Sequence, residues 1–168
     1  EGAPLNAPGE IQVRGMNVCQ GYYKNPEANA QLFTSDGWMH TGDLGTLDRH
    51  NNLFIRGRSK TMILSSNGQN IYPEEIEEKI NSFALVAESL VVRRADRLVA
   101  LIVPDPEVAQ REGLSPEGAW QRIEEFRAQL NNQVAAYEKV TRFVLQEEPF
   151  VKTPKRSIKR FLYEEKTD

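Results

Sequence analysis

The sequence predicts an α+β fold in two parts, a small β-rich unit followed by a compact unit that has a three-stranded sheet and helices. Three observations predict it. Short apolar runs at Ile11 to Val13, Leu44 to Leu47 and Leu53 to Ile55, set among glycines and prolines, read as strands. From Lys60 onward the order becomes short hairpin, helix, strand, strand, helix, strand. Between the two patterns lies the polar and basic cluster Arg58-Ser59-Lys60, the expected junction. The expected division is therefore 1–57, a junction at 58–60, and 61–168.

Asp48-Arg49-His50-Asn51-Asn52 supplies turn chemistry between the second and third strands, so a hairpin is expected there. Met62-Ile63-Leu64 followed by Ser65-Ser66-Asn67-Gly68 predicts a second, shorter hairpin. Pro73 fits the first position of a helix, where its missing N–H is not needed, and Glu74 and Glu75 complement the helix dipole. Ile76, Ile80 and Phe83 would share its buried face.

Val86 to Val92 and Leu98 to Val103 predict an antiparallel pair, ended by Pro104-Asp105-Pro106. Ser115 is the expected N-cap of a longer helix, with Ile123, Phe126, Leu130, Val134 and Tyr137 in helical period. Val140 to Leu145 is a third strand. The basic stretch from Phe150 to Arg160 reads as an exposed loop, because Thr153-Pro154 disfavours helix.

The 168 residues carry a formal charge of −3, which does not resemble a nucleic-acid footprint. Cys19 is the only cysteine, so no internal disulfide and no cysteine-rich zinc site forms, and with only His40 and His50 no metal site is expected. No apolar run approaches the roughly 20 residues of a membrane span. A cytoplasmic protein is expected, and a start at Glu1 almost directly before a strand suggests a piece of a longer chain.

Asp43, in Trp38-Met39-His40-Thr41-Gly42-Asp43, lies beside a glycine that lets backbone approach a ligand. An ionised carboxylate accepts hydrogen bonds from paired hydroxyls such as those of a ribose, and it equally caps a turn. Arg58 offers a forked donor for phosphate or sugar oxygens, or is a solvated turn residue. Ser65-Ser66-Asn67-Gly68 lacks the lysine of a phosphate-binding P-loop.

Taken in order, these segments resemble the later motifs of the adenylate-forming superfamily, which includes acyl-CoA synthetases, luciferases and peptide-synthetase adenylation domains. Gly9-Glu10-Ile11-Gln12-Val13-Arg14-Gly15 and Gly21-Tyr22-Tyr23-Lys24-Asn25-Pro26 resemble the segment that precedes the ribose aspartate. Asp36-Gly37-Trp38-Met39-His40-Thr41-Gly42-Asp43 is similar to the threonine-glycine-aspartate motif. Gly57-Arg58-Ser59-Lys60, Ser66-Asn67-Gly68 and Ile71-Tyr72-Pro73-Glu74-Glu75-Ile76-Glu77 are similar to the motif joining the large and small domains. The resemblance implies that Asp43 holds the ribose hydroxyls of ATP or an acyl-adenylate and that Arg58 contacts the nucleotide. It also implies that Lys60 is the hinge and that Gly68 faces the thiol tunnel.

The family's last motif is a threonine-rich turn, then glycine-lysine, an apolar residue, a variable one and arginine. Here Lys152-Thr153-Pro154-Lys155-Arg156-Ser157-Ile158-Lys159-Arg160 occupies that stretch, and anchoring at either end places Ser157 at the adenylation lysine. Such a lysine stabilises developing charge, and losing one such contact costs about 100- to 1000-fold in rate. Either Lys155 or Lys159 swings in from the loop, with Lys155 the candidate catalytic residue, or adenylation is slow while thioester formation survives.

The implied whole protein is a fatty acid–CoA ligase using ATP with Mg²⁺ and coenzyme A. It would activate a carboxylic acid to acyl-AMP and form the thioester after domain rotation. The fragment, lacking its large N-terminal domain, is expected to be inactive alone. The alternatives are an acyl-AMP ligase or adenylation domain that delivers to a carrier protein, and a weak paralogue acting as a binding module.

Overall fold

Strands β1 (Gly9–Val13), β2 (Met39–Leu47) and β3 (Leu53–Arg58) pair antiparallel with β2 in the centre, in a computed structural model that describes residues 3–164. The β2–β3 turn is the expected one. The Asp48 carboxylate accepts the His50 N–H at 2.8 Å and the Asn52 N–H at 2.9 Å. It also accepts from the Asn52 side-chain amide, and these bonds hold its pKa below the ordinary value. At the centre of β2 only a glycine fits, since a Cβ on Gly45 would lie 2.9 Å from the Phe54 carbonyl oxygen.

This β-rich unit also contains a short helix, α1 (Pro26–Leu32), which was not expected from the apolar pattern. Its start is encoded locally: Asn25 accepts the Ala28 N–H at 3.1 Å and Pro26 takes the first turn. None of its residues is buried, so it has no hydrophobic period to read.

One compact unit ends at Met62 and a second begins at Ile63. In the second, β4 (Ile63–Leu64) and β5 (Asn70–Ile71) form the expected small hairpin, followed by α2 (Pro73–Asn81). β6 (Val86–Arg94) and β7 (Arg97–Pro104) are antiparallel, and β8 (Val140–Leu145) joins β7 in parallel after α3 (Pro106–Arg111) and α4 (Pro116–Asn131). The three-stranded sheet with helices is thus as anticipated, and α3 is additional. Asp105 caps α3 by accepting the Glu107 and Val108 N–H groups, so the Pro104-Asp105-Pro106 run both ends a strand and starts a helix.

Ser115 caps α4 as expected, accepting the Gly118 N–H at 3.1 Å. Ile123, Phe126 and Leu130 are buried, but the helix stops at Asn131 and does not carry its period to Tyr137, which is exposed. The reason is a side-chain fork: Asn131 accepts the Val140 N–H at 2.8 Å and donates to the Val140 carbonyl at 2.9 Å, fastening the helix end to the start of β8.

Along β7, successive residues alternate between two cores. Leu98, Ala100 and Ile102 pack with α2 and α4 residues such as Ile80 and Ile123, where Phe83 stacks on Phe126 at 4.5 Å. Val99, Leu101 and Val103 face the opposite side, with Leu90, Val92 and Phe150. The tail after Phe150 is therefore not the exposed loop its charge suggests. Phe150 is 4% exposed, meets Tyr163 edge-on at 5.0 Å, and Ile158 and Tyr163 complete the cover over that face. Lys152, Lys155 and Arg156 between them are exposed while Arg160 turns inward to Glu77, and the burial of a few apolar side chains outweighs the basic composition.

Glu77 of α2 is a charged side chain in the interior, only 8% exposed. It accepts the Val91 N–H at 2.7 Å and pairs with the Arg160 guanidinium. Burial nevertheless raises its pKa above the ordinary value of 4.5, against the pull of Arg160 and the Val91 N–H.

Two outcomes follow. Phe150→Ala should destabilise the chain to urea by about 3–5 kcal/mol, as for a core aromatic, whereas a change near 0.5 kcal/mol or less would match an exposed loop. A carboxyl whose folded pKa is raised contributes stability that is fully present below pH 4.5 and lost as pH rises through the raised value. The stability deficit of Glu77→Gln relative to wild type should therefore shrink on going from pH 4 upward, and a deficit that grows would contradict the assignment.

Candidate functional site

Sheet pairing brings Asp43 opposite Arg58, across β2 and β3. Arg58 Nε lies 3.0 Å from Asp43 Oδ1, and its Nη1 donates to the Thr41 carbonyl at 3.1 Å. Gly42 beside Asp43 has φ +72°, a backbone conformation that favours glycine, so the turn that places Asp43 depends on it. The Thr41 hydroxyl donates to the Ile11 carbonyl at 2.7 Å and accepts the Asp43 N–H at 3.0 Å, which fixes the aspartate's backbone to β1.

Glu10 supports the same turn from β1. One carboxylate oxygen accepts the Gly42 N–H at 3.2 Å and the other lies 2.6 Å from His40 Nδ1, which must donate to it. Sequence reasoning passed over Glu10 and set His40 aside. The signal was the strand alternation that puts Glu10 and Gln12 on one face, opposite Ile11. Glu10, His40, Thr41, Gly42, Arg58 and Lys60 line an open pocket of about 580 Å³, next to the Asp43–Arg58 pair. Lys60 lies within a turn in which the Thr61 and Met62 N–H groups donate to the Arg58 carbonyl, next to the Ser59 N–H that donates to the Gly42 carbonyl.

In the second unit, Gly68 sits at the tip of the β4–β5 hairpin with φ +74° and open space around it. The turn is closed by the Gly68 N–H to the Ser65 carbonyl at 3.0 Å and by the Gln69 N–H to the Ser65 hydroxyl at 2.9 Å. Ser66 and Asn67 of this turn, with Arg93, Arg97 and Lys139, border a pocket of about 260 Å³ that the sequence did not reveal. Its parts lie far apart in the chain, which is why no local motif marks it.

Lys155 and Ser157 lie exposed on a second hairpin in this unit. Lys152 bridges Ile158, the Thr153 N–H donates to the Ser157 carbonyl at 2.9 Å, and the Arg156 N–H donates to the Thr153 carbonyl at 2.8 Å. Arg156 takes φ +63°, a left-handed conformation costly for a side chain with a Cβ. Arg160 belongs to the base of this hairpin through Glu77 rather than to its tip. Asp43, Arg58 and Lys60 are thus gathered in the first unit, while Gly68, Lys155 and Ser157 occupy two hairpins of the second. Among the described residues no helix is long and apolar enough to cross a membrane.

Comparison with known proteins is consistent along the chain. The 2-succinylbenzoate–CoA ligase of Bacillus cytotoxicus is 41% identical over 114 residues, covering 65% of this chain and 23% of that protein. The long-chain-fatty-acid–CoA ligase FadD15 of Mycobacterium tuberculosis is 41% identical over 100 residues, 59% of this chain and 16% of that protein. The chain thus spans less than a quarter of either relative. The solved o-succinylbenzoate CoA synthetase of Bacillus subtilis, in complex with its acyl-adenylate intermediate, superimposes with a TM-score of 0.80 at 28% identity, over 96% of this chain and 31% of that one. Residues 60–166 match the family model described as the AMP-binding enzyme C-terminal domain, and the chain belongs to that family.

Proposed function

We propose that this chain is the C-terminal part of an AMP-forming acid–thiol ligase that activates a carboxylic acid with ATP and Mg²⁺ and passes the acyl group to coenzyme A. The observation that carries the reading is the Asp43–Arg58 pair on the Thr41-Gly42 turn beside an open pocket. A carboxylate there accepts from two vicinal hydroxyls, and the adjacent guanidinium supplies charge to a phosphate. The pair is partly exposed, so its own ion pairing is weak and readily exchanged for ligand contacts.

In this account Asp43 holds the ribose, Arg58 faces the nucleotide, and the Arg58 to Lys60 turn is the hinge between residues 1–57 and 61–168. Gly68 lies on the thiol's path. The nearby pocket with Arg97 and Lys139 suits the phosphorylated end of such a thiol. Ser157 stands at the adenylation-lysine position, a reading supported by the left-handed Arg156 before it, where the family motif has glycine. Lys155, two residues away on the same hairpin, supplies the missing charge. The acid we favour is a fatty acid, and the compartment the cytoplasm. Alone, the fragment would not turn over.

The test is intact-mass analysis of products from the complete protein, given ATP, Mg²⁺ and a panel of carboxylic acids. Acyl-AMP without CoA and acyl-CoA with it are expected. Acyl-AMP alone, transferred only to a carrier protein, would move the acceptor, and neither product with any acid would leave a binding module as the better reading. Asp43→Ala removes charge-assisted hydrogen bonds of about 1.5–3 kcal/mol each, so ATP binding should weaken by at least about tenfold. Lys60→Pro should abolish thioester formation while sparing adenylation, and full thioester activity in that variant would remove the hinge assignment.

A further inference from the structure

The hairpin that carries Lys155 and Ser157 is fastened to the domain at both of its ends. At one end Lys152 Nζ lies 2.5 Å from Glu88 Oε1 on β6. At the other, the Arg160 guanidinium pairs with Glu77, donates to the Val91 carbonyl at 3.3 Å and lies 3.5 Å from Glu74. Between them the Lys159 N–H donates to the Val151 carbonyl at 2.9 Å, and the Val151 N–H donates to the Tyr163 hydroxyl at 2.9 Å. The Glu77 fastening is the interior one. Its carboxylate ties α2, the β6 backbone at Val91 and the tail together in a single node.

The choice of groups is informative. Phe150, Ile158 and Tyr163 already hold the tail onto the sheet by apolar contact, which is non-directional. A buried charged pair is a poor stabiliser compared with apolar side chains of similar volume, but its forked geometry defines one position. Arg160 lies three residues beyond Ser157, so fixing its guanidinium fixes the base of the strand leaving the hairpin tip.

We propose that Glu77 and Arg160 are positioning residues that hold the 152–158 hairpin in one orientation, so that its cationic tip is aimed for the adenylation half-reaction. This deepens the ligase reading and rests on it for the chemistry, while the orientation itself is independent of it. Neither residue touches substrate; each acts through the hairpin.

Two readouts in the complete protein separate the claims. The first is hydrogen exchange of the Thr153, Arg156, Ser157 and Lys159 amides, all bonded within the hairpin. In Glu77→Gln these should lose protection, while β7 amides keep theirs. The second is the half-reaction split: adenylation measured by ATP–pyrophosphate exchange, against thioester formation from supplied acyl-AMP and CoA. Misplacing the hairpin by about 1 Å should lower the adenylation kcat by about 10- to 100-fold with little change in the KM for ATP, leaving the thioester step within about twofold. Arg160→Lys, which keeps charge but loses the fork, should fall between wild type and Arg160→Met.

Unchanged exchange in the hairpin of Glu77→Gln overturns the proposal, as does a parallel fall of both half-reactions together with β7 protection. Should Glu77→Gln fail to fold, Glu77→Asp, which shortens the reach by one methylene, is read in the same way. If wild type forms no acyl-AMP with any acid, the ligase reading fails, and the exchange data alone decide whether Glu77 positions the hairpin.

Discussion

Strand β7 is apolar on both faces, and the second unit is organised by that fact. Leu98, Ala100 and Ile102 on one side and Val99, Leu101 and Val103 on the other are all buried. A sheet with two apolar faces needs two covers, and helices supply only one. The tail after Leu145 supplies the other, through Phe150, Ile158 and Tyr163. The segment proposed to take part in chemistry is therefore also a structural lid, and its position is set by packing rather than by the flexibility its charges suggest.

This dual role explains where Glu77 sits. It belongs to α2, on the helix side, yet its carboxylate reaches the Val91 N–H of β6 and the guanidinium of Arg160 from the tail. One buried carboxylate links both covers to the sheet between them. Removing a single partner from such a pair leaves an uncompensated charge, a loss of about 3–5 kcal/mol in comparable cases, so the node is sensitive to either residue. In the first unit the corresponding arrangement is small and local. Glu10, Thr41 and Arg58 each bond a backbone group of the Thr41–Asp43 turn or of β1, and together they set Asp43 beside its pocket.

What was legible in the sequence followed periodicity and capping. The strands, the two hairpins, the Pro73 helix and the Ser115 cap could all be read because alternation, turn residues and N-caps are local signals. The short helices at Pro26 and Pro106 were not, being six or seven residues long with little or nothing buried. The end of α4 was misplaced because Val134 and Tyr137 continue its spacing, while the Asn131 fork that stops it depends on β8, distant in sequence. The tail was misjudged for the opposite reason: its charges dominate any window, and its buried residues are too widely spaced to form a pattern. Of the candidate site, Asp43 and Arg58 stood out through resemblance and are indeed adjacent, whereas Glu10 and Glu77 act through partners 30 or more residues away, as the Glu10–His40 and Glu77–Arg160 contacts illustrate.

The central claim is that the 152–158 hairpin delivers the charge for adenylation, with Lys155 standing in for the lysine expected where Ser157 lies. The direct measurement is the single-turnover adenylation rate of the complete protein as wild type, Lys155→Ala, and Lys155→Ala combined with Ser157→Lys. The account predicts a fall of about 100-fold in the first variant, as for loss of one charge-stabilising contact, and recovery of most of it in the second. Undiminished adenylation in Lys155→Ala, or no recovery on adding Ser157→Lys, would contradict it.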